Sequence, residues 1–214
     1  NPAGLITQAL RTHAPKVNTI GLCNVPWNTR VEVAGALNKS PSSLDFNYIG
    51  LNHLSWIRGV SVDGIDQTEQ ALAAFRGLTI NKAVQGDSPA WLQSDIDLLQ
   101  AIPNYYLLYY YAEKEWINYQ ATHPTRASEV IKIEDQLMEK FADTSLVTKP
   151  EELMQRGGAY YSDSAAELMA DIHCDSGTVH IVNTLNNGAV PGFADDAVME
   201  IPARITSKGA ASIP

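Results

Sequence analysis

Alternating and helical spacings of apolar residues divide the chain into strands, a long helical middle, and strands again. Asn1 followed by Pro2 reads as an N-cap and a first helical position, predicting a helix to about His13 that Ala14-Pro15 stops. A short strand is expected over 17–20 and a helix near 28–38. Leu44–Ile49 and Trp56–Val62 alternate as strands do, and Asp63-Gly64 marks a turn. Helices are predicted over Thr68–Phe75, Ser94–Ala101 and Asn104 to about Tyr119, the last with Pro103 beside its first turn. Another is expected from Pro124 to Phe141, with Val130, Ile133, Leu137 and Phe141 on one face, and two more begin near Pro150 and Ser162. Val179–Thr184 and Val198–Ile205 read as strands separated by the Asn186-Asn187-Gly188 turn. This order predicts a mixed α+β fold over residues 1–214, with no internal repeat or linker.

Composition narrows the function classes. The 214 residues carry a formal net charge of −9, which argues against a nucleic-acid backbone or an anionic membrane surface as partner. No apolar run has membrane-spanning length. The two cysteines, Cys23 and Cys174, form no disulfide framework, so a cytoplasmic location is expected. The chain opens without Met and ends just after a strand-like segment. Both ends read as cuts inside a longer protein.

Candidate chemistry lies where two predicted strands end. Gly21-Leu22-Cys23-Asn24 supplies a thiol and Gly50-Leu51-Asn52-His53 an imidazole. Both are good ligands for a divalent transition metal, and two ligands on one ion leave open positions, as catalytic sites do. The ordinary alternative is a buried apolar Cys and a hydrogen-bonded His, and spacing alone favours it. Tyr105, Tyr106, Tyr109, Tyr110 and Tyr111 lie within seven residues. On a continuous helix Tyr106 and Tyr110 share one face, and Tyr105 and Tyr109 another. Most of them suit a packing stripe. A free phenol, with a pKa of about 10, becomes a useful base only near a cation. Arg126 opens a long helix, where a guanidinium and free N–H groups suit phosphate, although position alone favours a solvated Arg. Arg156-Gly157-Gly158 is either an anion nest or a tight turn. The chain has no nucleophile elbow, no His-x-x-x-His pair, no Walker loop and no Gly-x-Gly-x-x-Gly.

Six segments taken together resemble glycoside hydrolase family 4. They are Asn1-Pro2-Ala3-Gly4, Gly21-Leu22-Cys23-Asn24-Val25-Pro26, and Gly50-Leu51-Asn52-His53-Leu54-Ser55-Trp56. The others are the run from Ile102 to Tyr111, Arg156-Gly157-Gly158-Ala159-Tyr160-Tyr161-Ser162, and Asn186-Asn187-Gly188. They occur in family order across nearly the whole chain, and this reverses the balance in favour of a metal.

The resemblance implies a domain like the C-terminal domain of lactate and malate dehydrogenases. The family's N-terminal Rossmann domain, which holds NAD, has no match in this chain. It implies hydrolysis by oxidation at C3, loss of the C2 proton, elimination at C1, addition of water and return of the hydride, using NAD and a divalent metal, typically Mn2+. This mechanism departs from the usual carboxylate pair. Cys23 and His53 map to the metal ligands and Tyr106 to the base, with Tyr105 as the alternative base. Asn1, Asn24 and Arg126 map to substrate binding, Arg126 at the 6-phosphate. Cys23-Asn24 resembles members acting on 6-phospho-β-glucosides, whereas those acting on 6-phospho-α-glucosides tend to have Cys-Asp. A homodimer or homotetramer is implied. The rival readings are a 6-phospho-α-glucosidase, a 2-hydroxy-acid dehydrogenase, and a non-catalytic dimerisation or sugar-phosphate-binding module.

Overall fold

A computed structural model of the protein describes residues 3–84, 93–158 and 160–214. Helix α1 spans Ala3–His13 and α2 Val25–Leu37. Helix α2 starts three residues earlier than the sequence predicts, because Pro26 fits its first turn. It ends on Asn38 in the left-handed conformation, whose N–H caps the carbonyls of Ala34 and Gly35.

Strands β1 (Leu44–Leu51) and β2 (Leu54–Val62) form an antiparallel hairpin extended by β3 (Ile65–Asp66). Leu44, Phe46 and Tyr48 alternate inward along β1 while Asp45 and Asn47 face out. The register shifts between Asn47 and Tyr48, an irregularity of the kind that bends a strand. Helices α3 (Thr68–Val84) and α4 (Gln93–Leu99) follow, and β4 (Ile102–Pro103) pairs with β2.

The tyrosine-rich segment departs from the predicted single helix. It is a 3-10 turn over Tyr105–Leu107, then α5 (Leu108–Tyr111), a break at Ala112, and α6 (Glu113–Thr122). Pro103 sits in β4 rather than in a helical turn, and Asn104 caps the 3-10 turn. The tyrosines therefore do not sort onto two faces of one helix. Helix α7 (Arg126–Phe141) is N-capped by Thr125 and precedes α8 (Glu152–Arg156). Of the face predicted for α7, Leu137 is buried while Phe141 is exposed.

Helix α9 (Tyr161–Cys174) leads into a second antiparallel sheet of β5 (Val179–Leu185), β6 (Val198–Thr206) and β7 (Gly209–Ser212). The sheet packs Val182, Ala203 and Ile205 against Leu168 of α9. Ile49 of β1 reaches Met199 and Ile201 of β6, so the two sheets meet along β1 and β6. The strand predicted over 17–20 does not form. Only Gly21 pairs with β5, through an isolated antiparallel bridge to Asn183. Helix α1 covers that edge of β5: a Cβ on Gly21 would lie 2.1 Å from Thr7 Oγ1. The mixed α+β class predicted from the sequence holds.

Candidate metal and sugar-phosphate site

Both predicted ligand turns are built at the meeting of the two sheets. His53 sits at the tip of the β1–β2 hairpin, between the paired residues Leu51 and Leu54. Its φ of 69° is left-handed, a conformation uncommon outside glycine but enriched for His. Cys23 follows the Gly21 bridge by two residues and immediately precedes Asn24 and α2.

The sulfur of Cys23 lies 3.6 Å from Nε2 of His53. Two donors roughly 2.1–2.3 Å from a common ion are about this far apart when they subtend a near-tetrahedral angle. Burial lowers the pKa of His53, which keeps the imidazole in its ligating, neutral form. Burial raises the pKa of Cys23, and the Glu200 carboxylate raises it further. The backbone of Val25 and the side chains of Asn52 and Tyr161 oppose that shift by hydrogen bonding to the sulfur. A cation would supply the missing positive charge.

Asn28, one turn into α2, lines the same cleft, and its buried Oδ1 has no hydrogen-bond partner among the described residues. A buried acceptor of this kind suits a cation or a substrate hydroxyl. The described residues contain no cluster of three His, Cys, Asp or Glu side chains able to hold a metal. Cys23 and His53 alone would therefore leave most positions on an ion open, which is the donor set of a catalytic site.

Tyr106 stacks on His53, with ring centroids 4.1 Å apart and an interplanar angle of 20°. Tyr105 also packs on Tyr106, with ring centroids 4.1 Å apart. Burial of its phenol and a hydrogen bond to Tyr106 push the pKa of Tyr105 far up, so Tyr105 stays protonated. Tyr106 thus has the imidazole on one face and a protonated phenol beside it. Tyr109, Trp116, Tyr119 and His123 continue the aromatic row along the cleft.

The cleft has a volume of about 1060 Å³ and also takes in Asn24, Arg126, Arg156 and Tyr161. Asn24 is buried at the N-cap of α2, yet its side chain makes no capping bond. Arg126 bonds Glu129 at 3.3 Å and the carbonyl of Gln155. Arg156 is held by Glu134 at 2.7 Å. Gly157 and Gly158 both have positive φ, 96° and 73°, where the chain passes the cleft. Asn1 lies outside the described residues, as does Ala159. A second hollow, of about 820 Å³, lies against β1, β2 and β6 and contains none of Cys23, His53 and Tyr106. No helix among the described residues is long and apolar enough to cross a membrane.

Asn28 and Tyr161 carry no role in the sequence reading. Asn28 reads there only as a helix start, and Tyr161 belongs to a quoted segment without any sign that it meets Cys23. No local pattern marks either, because both act across separate elements.

Comparison with known proteins places this arrangement. The 6-phospho-β-glucosidase BglT of Thermotoga maritima is 42% identical over 97% of this chain. A probable 6-phospho-β-glucosidase of Bacillus subtilis is 35% identical over 98%. The chain spans 48% of the length of each, about half. A solved structure of the Thermotoga 6-phospho-β-glucosidase with manganese, NAD+ and glucose-6-phosphate superposes with a TM-score of 0.84 at 41% identity, covering 100% of this chain and 49% of that one. A malate dehydrogenase of Cryptosporidium parvum shares the fold at a TM-score of 0.51 and 15% identity, with 100% of this chain and 53% of that one covered. The dehydrogenase-like fold implied by the resemblance is thus present. A family model, the family 4 glycosyl hydrolase C-terminal domain, matches residues 48–214, and the relatives extend the likeness over 97–98% of the chain, so the chain belongs to family 4 of the glycosyl hydrolases.

Proposed function

We propose that this chain is the metal- and substrate-binding part of an enzyme that hydrolyses 6-phospho-β-glucosides. The observation that carries the reading is the convergence of thiol, imidazole and phenol: Cys23 and His53 at 3.6 Å, with Tyr106 stacked on the imidazole at 4.1 Å. Cys23 and His53 would hold a divalent ion, and Asn28 offers an oxygen beside them. NAD belongs to a nucleotide-binding half, in keeping with relatives twice this length. When bound, the two groups would supply the reversible oxidation at C3 and the charge stabilisation that acidifies the neighbouring C–H.

Tyr106, in its phenolate form, would take the C2 proton onto its oxygen and become the neutral phenol. Tyr105, which stays protonated, is the weaker candidate for that role and donates a hydrogen bond to its neighbour instead. Loss of the proton at C2 expels the leaving group at C1, and water then adds at C1. Asn24 faces the cleft from the N-cap of α2, where it can bond a sugar hydroxyl. Arg126, with Arg156 nearby in the same cleft, would bind the 6-phosphate once it exchanges Glu129 for the stronger anion.

The β-configuration is supported by Cys23-Asn24. It is supported also by three relatives of 32–42% identity named 6-phospho-β-glucosidases, one of them as probable, while those named for α-linked substrates are 25% identical or less. The test is hydrolysis of paired aryl 6-phospho-β- and α-glucosides by the complete enzyme with NAD and Mn2+, then with chelator. Cleavage of the β-anomer that stops on chelation is expected. Cleavage of the α-anomer alone would reassign the substrate, and metal-independent cleavage would refute the role given to Cys23 and His53.

A further inference from the structure

We propose that Glu200 is a positioning residue that fixes Cys23, His53 and Tyr106 relative to one another through a single buried hydrogen-bond network, resting on the reading that these three form the reacting centre. Glu200 lies in the middle of β6, within the fully buried run Val198–Ile201, and is 0% exposed. A carboxylate survives there only if its oxygens are bonded. Oε1 accepts from Nδ2 of Asn52 at 2.8 Å and from Nδ2 of Asn183 at 3.2 Å. Oε2 accepts from the hydroxyl of Tyr48 at 2.7 Å.

Each partner leads to a different site residue. Asn52 precedes His53 in the hairpin tip and also hydrogen-bonds the sulfur of Cys23. Asn183 exchanges both backbone bonds with Gly21, at 2.7 and 2.9 Å, two residues before Cys23. The Tyr48 hydroxyl meets Ser55 Oγ at 2.7 Å, which accepts from Asn104 Nδ2 at 3.1 Å. Asn104 in turn accepts from the backbone N–H of Tyr106 at 3.1 Å. Three elements distant in sequence are thus referenced to one carboxylate.

A purely structural role would be served as well by an apolar side chain like those of Met199 and Ile201 on either side, without the desolvation of a charge. The network instead ends on the three turns that present the thiol, the imidazole and the phenol. Partners one step removed from a metal ligand fix its orientation, and their loss typically weakens metal binding by about 10–100-fold.

The test uses the complete enzyme. Mn2+ affinity is read by electron paramagnetic resonance, and exchange of the substrate's C2 hydrogen by NMR in D2O with NAD and an aryl 6-phospho-β-glucoside. Glu200→Gln keeps the shape and removes the charge. It should fold and bind Mn2+ at least about tenfold more weakly. Tyr48→Phe removes the donor to Oε2 and with it the arm to Tyr106, and keeps the Asn52 and Asn183 bonds to Oε1. It should slow C2 exchange by roughly three- to tenfold while Mn2+ affinity stays within about twofold.

A folded Glu200→Gln protein with both properties within about twofold of wild type, beside a Cys23→Ser control that has lost Mn2+ binding, overturns the proposal. A Cys23→Ser protein that binds Mn2+ normally shows instead that the metal reading has failed, and the proposal falls with it. Should Glu200→Gln not fold, Asn52→Ala leaves Glu200 its Tyr48 and Asn183 partners. Unchanged Mn2+ affinity in that variant overturns the proposal equally.

Discussion

The hairpin that carries His53 turns on Gly50, and its substitution gives the sharpest prediction. Gly50 has a φ of 143°, a backbone region that L side chains rarely adopt. A Cβ added there would lie 2.3 Å from the carbonyl oxygen of Leu54 and 2.6 Å from the Cα of Ser55. Both are backbone atoms of the facing strand, so no side-chain rotation relieves the overlap. The unfavourable φ costs about 1–3 kcal/mol and the overpacking about 1–3 kcal/mol, together roughly 4 kcal/mol. For a protein of this size that corresponds to a melting temperature lower by about 8–16 °C.

Gly64 supplies the control. It also has positive φ, 79°, but a Cβ there meets nothing within 4 Å. Gly64→Ala should cost only the left-handed backbone preference, about 1 kcal/mol and roughly 2–4 °C. Thermal unfolding of both variants by far-UV circular dichroism measures the difference. Equal melting temperatures for Gly50→Ala and Gly64→Ala would refute the reasoning, because backbone preference alone would then account for both.

Three further predictions follow from the site and its surroundings. Tyr106→Phe should stop exchange of the C2 hydrogen, lowering turnover by at least about 100-fold, and retained exchange would move the base elsewhere. Arg126→Ala should raise KM about tenfold or more for phosphorylated substrates and leave unphosphorylated ones unaffected; an equal effect on both would exclude phosphate binding. His180, 2.6 Å away, holds the carboxyl of Asp171 below the ordinary carboxylate range by hydrogen bonding. A depressed carboxyl pKa contributes stability that is present above the unfolded value of about 3.9 and is lost as pH falls through the lower folded value. Asp171→Asn should therefore be less stable than wild type at pH 6, by at most about 1 kcal/mol, with the gap closing toward pH 3 in urea unfolding. A gap independent of pH would show that the charge of Asp171 contributes nothing.

The sequence by itself determined the elements whose information is local. Alternation wrote β1 with Leu44, Phe46 and Tyr48 facing inward, and the helix read from Pro124 to Phe141 lies within two residues of α7 at its start and matches it at its end. Cys23, His53 and Tyr106 also stand in recognisable segments in family order, and the fold brings all three into one cleft. Only the tertiary structure decided what depends on neighbours remote in sequence. Residues 17–20 have strand-like composition, but α1 covers the edge of β5 and leaves room for Gly21 alone. The tyrosines are spaced to share helix faces, but the cap at Asn104 and the break at Ala112 stack Tyr105 and Tyr106 together instead. Glu200 carries no reading in the sequence, where it is only a charge inside an apolar strand. What it bonds could not be read there, because Tyr48, Asn52 and Asn183 reach it from strands that only folding brings together. Local pattern fixes a backbone's period, whereas satisfying a buried polar group needs partners in three dimensions.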